Sequence, residues 1–251
     1  MFKIIIPNYN NAKWLDKCLG SIFEQSYKDF EVIVVDDCST DNSIEIIKKY
    51  PVSLIRANRK VYNGGARNIG IRFPSKQPYT MFIDSDDWLY NKHVLRNIAR
   101  VLKKHPVDCL TLQYNAILPD QELLFSMKRN DLHSLVWDVN VACWTKVIKT
   151  ELIQEFPENT LMEDAVQHIK QCNYIKTMYT TNFTSIAYNR MNSEALTSPD
   201  KRKSIKWRTS LLRLIADLME LWCENEECEA RRIHDIEIAK EQVKGGEFVP
   251  W

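Results

Sequence analysis

Two aspartates separated by one residue, Asp84 and Asp86, are the first candidates for chemistry in this sequence. They follow the apolar run 80–83, which we predict to be a buried strand. Because residues i and i+2 of an extended segment share a face, the two carboxylates should repel each other unless a cation lies beside them. Oxygen ligands with no His or Cys alongside suit Mg²⁺ or Mn²⁺. A solvated acidic turn that caps the next helix is the alternative.

A second acidic pair, Asp36 and Asp37, follows another apolar run at 32–35. A carboxylate at the edge of a nucleotide pocket can accept a hydrogen bond from a base N–H, so both aspartates are candidates for ligand contact. Just beyond them, Thr40 or Asp41 fits the simpler role of N-cap for the following helix.

The segment 63–68 contains two of the six glycines in the chain, Gly64 and Gly65. Glycines that open a helix can let backbone N–H groups face a phosphate, and Arg67 would add a cation able to bind two oxygens. The spacing fits neither the P-loop nor the dinucleotide-binding G-x-G-x-x-G motif. A tight turn into a helix predicted at Ala66 to Phe73 is the alternative.

A third acidic pair, Glu163 and Asp164, lies near the start of a helix predicted at Thr160 to Cys172. Thr160 and Glu163 have the spacing of a capping box, which gives Glu163 a structural role. Asp164 is then the freer carboxylate, and at a helix start facing a cleft it could act as a general base. His168, one turn later, could support Asp164 or ligate a metal, with packing as the alternative.

These side chains need elements that bring them together, and the first hundred residues supply a suitable pattern. Short β-branched runs alternate with amphipathic segments of helical length, as is typical of a parallel sheet covered by helices. Each predicted strand ends at a polar cluster, and open α/β sheets bind ligands at the carboxyl ends of their strands. We predict an α/β, Rossmann-like fold with mostly parallel strands, the first four at Phe2–Pro7, Glu31–Val35, Val52–Ile55 and Tyr79–Ile83.

Composition excludes several classes of protein. The 251 residues are 45% hydrophobic and 27% charged, which is typical of a globular chain and not of a disordered or collagenous one. The formal net charge of +1 gives no overall attraction to nucleic acid or anionic membranes. No apolar run approaches the roughly 18 residues of a membrane span. The seven cysteines include no C-x-x-C pair, so we expect reduced thiols in a cytoplasmic protein, with peripheral membrane contact left open.

Four motifs together resemble the family 2 glycosyltransferases, which have the GT-A fold. They lie in the family's order between residues 6 and 87, and their sequences are Ile-Pro-Asn-Tyr-Asn at 6–10, Ile-Val-Val-Asp-Asp-Cys-Ser-Thr-Asp at 33–41, Asn-Gly-Gly-Ala-Arg-Asn at 63–68 and Phe-Ile-Asp-Ser-Asp-Asp at 82–87. Weaker similarities follow at 143–147, 163–164 and 188–190. The resemblance therefore covers residues 2 to 198.

The resemblance implies a nucleotide-sugar donor, usually linked to uridine diphosphate, and inverting transfer assisted by Mg²⁺ or Mn²⁺. Asp86 would ligate the metal directly, Asp84 would reach the ribose or the metal through water, and Asp164 would be the catalytic base. Pro7, Tyr9 and the first acidic pair would surround the base. The expected donor-binding residues are Pro7, Tyr9, Asp36, Asp37, Gly65, Arg67, Asp84 and Ser85.

Four further residues are candidates for acceptor contact or for support of the site: Trp88, Glu163, His168 and Arg190. Trp88, just past the second aspartate, could stack on a sugar or base, with burial against the sheet as the alternative. The chain departs from the family pattern at Cys38, where glycine is usual, and at 60–62, where an acidic residue is commoner. Both departures bear on donor specificity.

The resemblance divides the chain into a GT-A domain at 1–198 and a helical C-terminal extension at 199–251. Within the domain, 1–105 would bind the nucleotide sugar and 106–198 the acceptor. The Gln-x-x-Arg-Trp pattern of processive relatives is absent, so we expect one or a few sugars per acceptor. The acceptor hydroxyl stays open: a glycan, a lipid-linked saccharide, a protein or a modified nucleic-acid base would each fit.

Two other functions are alternatives to sugar transfer. Nucleotidyl transfer also uses paired carboxylates and a metal on an α/β sheet, although here the Gly-Gly segment follows the third strand and not the first. A non-catalytic scaffold could instead dock a partner through the C-terminal helix, which has a basic start at 201–208 and an apolar stripe at 211–222.

Overall fold

The computed structural model describes residues 1–125, 141–158 and 163–192, together with single residues of a helical segment between 226 and 240. Thr160 of the expected capping box and most of the C-terminal extension, including its basic start and apolar stripe, lie outside the described residues. In the described part, no helix is both long and apolar enough to cross a membrane.

One mixed sheet runs through the described part of the molecule, in the order β3-β2-β1-β4-β8-β6-β9-β5, with β7 paired to β6. Its nine strands are β1 (Phe2–Asn8), β2 (Phe30–Asp36), β3 (Ser53–Arg56), β4 (Tyr79–Phe82), β5 (Trp88–Leu89), β6 (Cys109–Ile117), β7 (Glu122–Phe125), β8 (Lys146–Lys149) and β9 (Met178–Asn189).

The first four strands are parallel, and their register explains why the polar motifs meet. Ile5 of β1 lies opposite Ile33 of β2 and Phe82 of β4, and Asn8 lies opposite Asp36. Because the strands end side by side, the residues after β1, β2 and β4 gather at one edge of the sheet. The β-branched residues of β1 and β2 are buried on both faces, as expected for central parallel strands.

Antiparallel β8 lies between β4 and β6 and joins the two halves of the chain into one sheet. β6 then pairs in parallel with β9, and antiparallel with β7. The expected α/β class is therefore confirmed, with parallel pairing throughout the first four strands and mixed pairing beyond them.

Five helices of the described part flank the sheet: α1 (Ala12–Phe23), α2 (Ser43–Ile47), α3 (Tyr62–Arg72), α4 (Val94–Lys104) and α5 (Glu163–Cys172). α1 and α4 bury apolar stripes against the main core, which includes Ile4, Leu15, Leu19, Ile98 and Leu110. α3 packs on the other face of β1 and β2, where Ala66 contacts Ile33 and Val35.

The start of α3 corrects the sequence analysis. The helix begins at Tyr62 and not at Ala66, so Gly64 and Gly65 lie in its first turn instead of in a loop before it. A Cβ on Gly64 would collide with the carbonyl oxygen of Pro157, and one on Gly65 would lie 2.7 Å from the Cβ of Val61. The two glycines thus allow close packing of the chain on itself. Both are buried in the helix, and they do not form an exposed loop before it.

Candidate active site

The guanidinium of Arg67 is buried among three carboxylates from distant parts of the chain. Its Nη2 donates to Asp84 Oδ1 over 2.7 Å, and its Nη1 donates to Glu163 Oε1 over 2.7 Å and to Asp164 Oδ1 over 3.1 Å. The arginine therefore joins the residues that follow β4 to the first turn of α5. From the sequence, Arg67 was expected to face a phosphate, whereas the structure directs its two terminal nitrogens to carboxylates.

Close packing holds the Arg67 guanidinium in place. Gly64, one turn earlier in α3, lies against Pro157 and the Cβ of Glu163, so α3 approaches the start of α5. The ring of Phe156 lies 5.3 Å from Arg67 Cζ. Asn68 fixes the same segment, because its Nδ2 donates to the Phe156 carbonyl and its Oδ1 accepts from the Phe156 amide.

Glu163 makes a contact that the sequence did not indicate. Its Oε1 contacts Arg67, 96 positions away in sequence, and the side chain is buried. Burial, together with the charge of Asp164, raises the pKa of Glu163 to about 7 against the opposing effect of Arg67. The capping box stays a prediction, since Thr160 is outside the described residues.

Asp164 is positioned as an accessible carboxylate next to the buried pair. Its Oδ1 accepts from Arg67, and its Oδ2 accepts from the backbone N–H of Cys143 over 3.3 Å. The side chain keeps 23% of its surface exposed, against 7% for Glu163. A carboxylate held at two oxygens and still open to solvent has the geometry that a general base needs.

The turn after β4 presents four polar residues. Asp84 keeps 27% of its side chain exposed, while Ser85 is buried and its Oγ accepts from Asn11 Nδ2. Asp86 Oδ2 accepts from Asn192 Nδ2 over 2.7 Å. Asp87 is buried, and its Oδ1 accepts from the backbone N–H of Asn189. The turn is therefore tied to α1 on one side and to the end of β9 on the other.

The carboxylates of this turn are poorly neutralised. Burial raises the pKa of Asp84 against the opposing effect of Arg67. Burial, followed by the charge of Asp84, raises the pKa of Asp86 to about 6. Among the described residues, no basic side chain pairs with Asp86. The pKa of Asp87 is raised well above its usual value by burial and by the charges of Asp86 and Asp84.

This arrangement fits a divalent cation. In the ranges that the structure describes, no group of three or more His, Cys, Asp or Glu side chains is placed to hold a metal by itself. Mg²⁺ and Mn²⁺ do not require such a group, because one or two carboxylates suffice when waters and substrate phosphates complete the coordination. Asp84 and Asp86 offer two crowded, partly exposed carboxylates of this kind, and a cation there would relieve their repulsion.

The first acidic pair is arranged differently, since its oxygens are used within the protein. Asp36 is fully buried, with Oδ1 accepting from Asn8 Nδ2 and Oδ2 from the Ser39 amide. Asp37 accepts at Oδ1 from the Val61 amide and at Oδ2 from the Tyr62 amide. Both carboxylates shape the loops at the sheet edge.

The loops around Asp37 carry an exposed aromatic ring and a cation. Tyr9 follows Pro7 and Asn8 at the end of β1 and is 47% exposed, whereas Pro7 itself is buried within the strand. The ammonium of Lys60 lies over the Tyr9 ring and pairs with Asp37 Oδ2 over 2.9 Å. Cys38, where the resembled family has glycine, adopts a left-handed backbone with φ of 64°.

The remaining candidates lie apart from the buried arginine. Trp88 forms β5 and pairs with Ala187, with Lys17 Nζ 3.3 Å from its ring centroid. Arg190 is exposed, and its Nη1 donates to the hydroxyl of Tyr188. His168 is buried in α5, with Nε2 4.0 Å from Cys172 Sγ, which favours packing over ligand contact.

Three residues of the site were not assigned a role from the sequence. Asn192 contacts Asp86 across 106 positions, and Asp87 ties the turn to β9. Lys60 was noted only as a departure from a family pattern. The first two contacts depend on β9 returning beside β5, which no local pattern indicates, whereas the unusual residue type at position 60 was a usable signal.

Comparison with known proteins gives consistent matches over this part of the chain. Residues 3–170 match the family described as Glycosyl transferase family 2. Over 123 residues the chain is 32% identical to the poly(ribitol-phosphate) beta-N-acetylglucosaminyltransferase TarS of Staphylococcus aureus. These residues are 46% of this chain and 21% of TarS. Over 220 residues it is 28% identical to an uncharacterized glycosyltransferase of Haemophilus influenzae, covering 82% of this chain and 85% of that one.

A third relative, the glycosyltransferase GlyA of Streptococcus pneumoniae, is 31% identical over 161 residues, which is 61% of this chain and 22% of GlyA. The chain thus spans about a fifth of the length of TarS and GlyA, 21% and 22% respectively.

Solved structures show the same fold. The structure of S. aureus TarS 1–349 with UDP-GlcNAc matches with a TM-score of 0.73 and 23% identity, covering 94% of this chain and 70% of that one. The mannosyltransferase PcManGT of Pyrobaculum calidifontis, in complex with GDP-Man and Mn²⁺, matches with a TM-score of 0.65 and 17% identity, covering 99% and 76%. The expected GT-A fold is confirmed.

Proposed function

The chain belongs to glycosyl transferase family 2, and from this premise we propose that it is a metal-dependent, inverting enzyme that moves a sugar from a nucleotide-sugar donor to an acceptor hydroxyl. The observation that carries the proposal is the bridge through Arg67. It holds Asp84, one of the pair suited to a metal, and Asp164, the accessible carboxylate, against one guanidinium. A leaving-group site and a base would thus be adjacent.

The donor's diphosphate would lie at the turn after β4. Asp86 would ligate the divalent ion directly, and Asp84 would reach it or the donor ribose, through water where needed. When bound, such an ion neutralises the negative charge that develops on the departing diphosphate. Arg67 would act through the carboxylates that it orients, because both of its terminal nitrogens already donate to them.

Asp164 would take the proton of the acceptor. As the acceptor oxygen forms its bond to the anomeric carbon, the bond from that carbon to the diphosphate oxygen breaks, and the acceptor's proton passes to Asp164. Attack from the face opposite the diphosphate inverts the configuration at the anomeric carbon. The backbone N–H of Cys143 and the guanidinium of Arg67 each donate to this carboxylate, and they would keep it oriented for the proton transfer.

UDP-linked sugars are the donors we favour. The similar TarS fragment was solved with UDP-GlcNAc, although the similar mannosyltransferase holds GDP-Man. The base would lie near Pro7, Tyr9, Asp36 and Asp37, at the ends of β1 and β2. The acceptor would be a hydroxyl of a glycan or of a lipid-linked saccharide, in the cytoplasm or at the membrane surface. Residues 1–198 would form the catalytic domain and 199–251 a helical extension.

A panel of nucleotide sugars tests this function without knowledge of the acceptor. Purified protein with Mg²⁺ or Mn²⁺ should slowly hydrolyse at least one UDP-sugar, and EDTA should stop the reaction. NMR of the first sugar released should show the inverted anomer. Asp86→Ala should abolish hydrolysis, whereas Asp120→Asn, at an exposed carboxylate between β6 and β7, should leave it unchanged. The proposal fails if no nucleotide sugar is bound or turned over, or if EDTA has no effect.

A further inference from the structure

The nucleotide side of the site contains a carboxylate that a ligand can hardly reach. Only 4% of the Asp37 side chain is exposed. Its oxygens accept from the amides of Val61 over 2.7 Å and Tyr62 over 2.9 Å, and from the ammonium of Lys60 over 2.9 Å. Asp37 therefore fixes the loop 60–62 and the position of Lys60, and a nucleobase would meet what this loop presents.

Lys60 is the polar group that the loop presents. Its side chain is 34% exposed, and its ammonium lies between the carboxylate of Asp37 and the exposed ring of Tyr9. The Tyr62 ring centroid is 5.9 Å from the same nitrogen. A lysine held by a carboxylate and an aromatic face has lost much of its freedom, so it can direct a hydrogen bond at little further entropic cost.

The backbone around this lysine is strained in a way that points to ligand binding. Among the described residues, Asn10, Cys38 and Tyr62 are the non-glycine residues with positive φ, at 47°, 64° and 60°. They lie on three connected loops, since Asn10 bonds Ser39 and Thr40, and Tyr62 bonds Asp37. Such conformations cost free energy and concentrate at binding sites, where the surrounding structure enforces them.

We propose that Lys60 recognises the nucleobase of the donor, by donating to a base carbonyl oxygen from its position between Asp37 and the Tyr9 ring. Asp37 is then a positioning residue that acts through Lys60. This inference rests on the proposed function and deepens it, because it assigns the choice of base to one side chain.

The chemistry of the ammonium sets the expected preference. Lysine has hydrogen-bond donors and no acceptor. Uracil offers two carbonyl oxygens. Adenine has no carbonyl and accepts only at its ring nitrogens, and its exocyclic amino group is a donor that would face the ammonium unpaired. A base site built to donate to an exocyclic oxygen disfavours a base that presents a donor at that position. Lys60 should therefore favour uridine over adenosine diphosphates.

Calorimetric titration of the whole chain with UDP and with ADP, in the same Mg²⁺ buffer, tests this assignment because the two ligands share a diphosphate. Wild-type protein should bind UDP more tightly than ADP. Lys60→Met should weaken UDP binding about tenfold, the effect of losing one charged hydrogen bond, and leave ADP binding within about twofold. Lys60→Arg, which keeps a cationic donor, should retain the preference for UDP.

Lys13→Met is the matched control. Lys13 is an exposed lysine at the start of α1, and its ammonium also lies over an aromatic ring, that of Trp14. It should bind both nucleotides as wild type does. Thermal unfolding without ligand checks that each variant folds, and Lys60→Gln replaces Lys60→Met if the latter does not.

Equal weakening for UDP and ADP, or unchanged UDP binding, would overturn the role of Lys60 and leave the proposed function standing. Failure of the wild-type chain to bind either nucleotide, or any nucleotide sugar, would overturn both.

Discussion

Two acidic clusters, at the ends of the two strands that flank β1, use the same residue type in opposite ways. At the end of β2, the oxygens of Asp36 and Asp37 accept from backbone amides, an asparagine side chain and a lysine. After β4, Asp84 and Asp86 are crowded together, with one arginine contact between them and raised pKa values. Carboxylates whose charge is balanced within the protein hold loops in place, whereas the crowded carboxylates after β4 are the ones that we propose to bind a cation.

The largest effect should come from Asp164→Asn, because the amide keeps the shape of the side chain but cannot accept a proton. We expect transfer to an acceptor to fall about 10²–10⁴-fold, the usual contribution of a general base. UDP binding should change little, and thermal unfolding checks that the variant is folded. Initial rates with a competent acceptor, compared with those of Asp120→Asn, measure this, and a loss below about threefold would remove Asp164 from the role of base.

Arg67→Lys tests whether one guanidinium joins the two sides of the site. Lysine keeps the charge but cannot donate in a fixed fork to carboxylates from β4 and α5. We expect the free energy of unfolding to fall by about 2–4 kcal/mol, because buried carboxylates lose their partner. Chemical denaturation measures the change. An unaltered midpoint would show that the fixed fork of the guanidinium is not needed to join the two sides of the site.

Asp37→Asn should destabilise the cluster at the end of β2. The variant loses the pair with Lys60 and the charge that strengthens two backbone hydrogen bonds, so we expect a loss of about 2 kcal/mol in the free energy of unfolding. The melting temperature of the unliganded protein is the measurement. A higher melting temperature would show that the Asp37 charge destabilises the protein, as we expect for Asp86, and the two clusters would then not differ.

Asp86→Asn should have the smallest effect on stability, and the opposite sign. It removes a half-buried charge beside Asp84 while an amide can still accept from Asn192. Without ligand and metal, we expect the free energy of unfolding to rise by about 1 kcal/mol, a common trade of stability for function. Thermal unfolding measures both variants. If Asp86→Asn lowered the melting temperature as much as Asp37→Asn does, the proposed difference between the two acidic clusters would be wrong.

The part of the fold that follows from local pattern was predicted well. The β-branched runs of β1 and β2 and the alternation with helices indicated the parallel half of the sheet, because central parallel strands are apolar on both faces. The register of those strands then brought the polar clusters to one edge. That part of the candidate site, including Asp84 and Asp86, was accessible from sequence.

The contacts that complete the site were not accessible. The glycines at 64–65 indicated a helix opening that faces a phosphate, with a tight turn as the alternative, yet Gly64 serves the close approach of α3 to Pro157, a contact made only in the folded chain. The spacing at Glu163 indicated a cap, and it gave no sign of the contact with Arg67. The hydrogen bond from Asn192 to Asp86 likewise joins residues 106 positions apart, and it forms only when β9 packs beside β5.

The insertion of antiparallel β8 between β4 and β6 has a mechanical consequence. Hydrogen bonds run without interruption from β1 through β4 and β8 to β6 and β9. A hinge between the two halves would have to break this ladder, so domain closure of the clamshell type is disfavoured. Access of substrate and release of product must then be governed by the segments around the sheet edge, while the framework beneath them stays rigid.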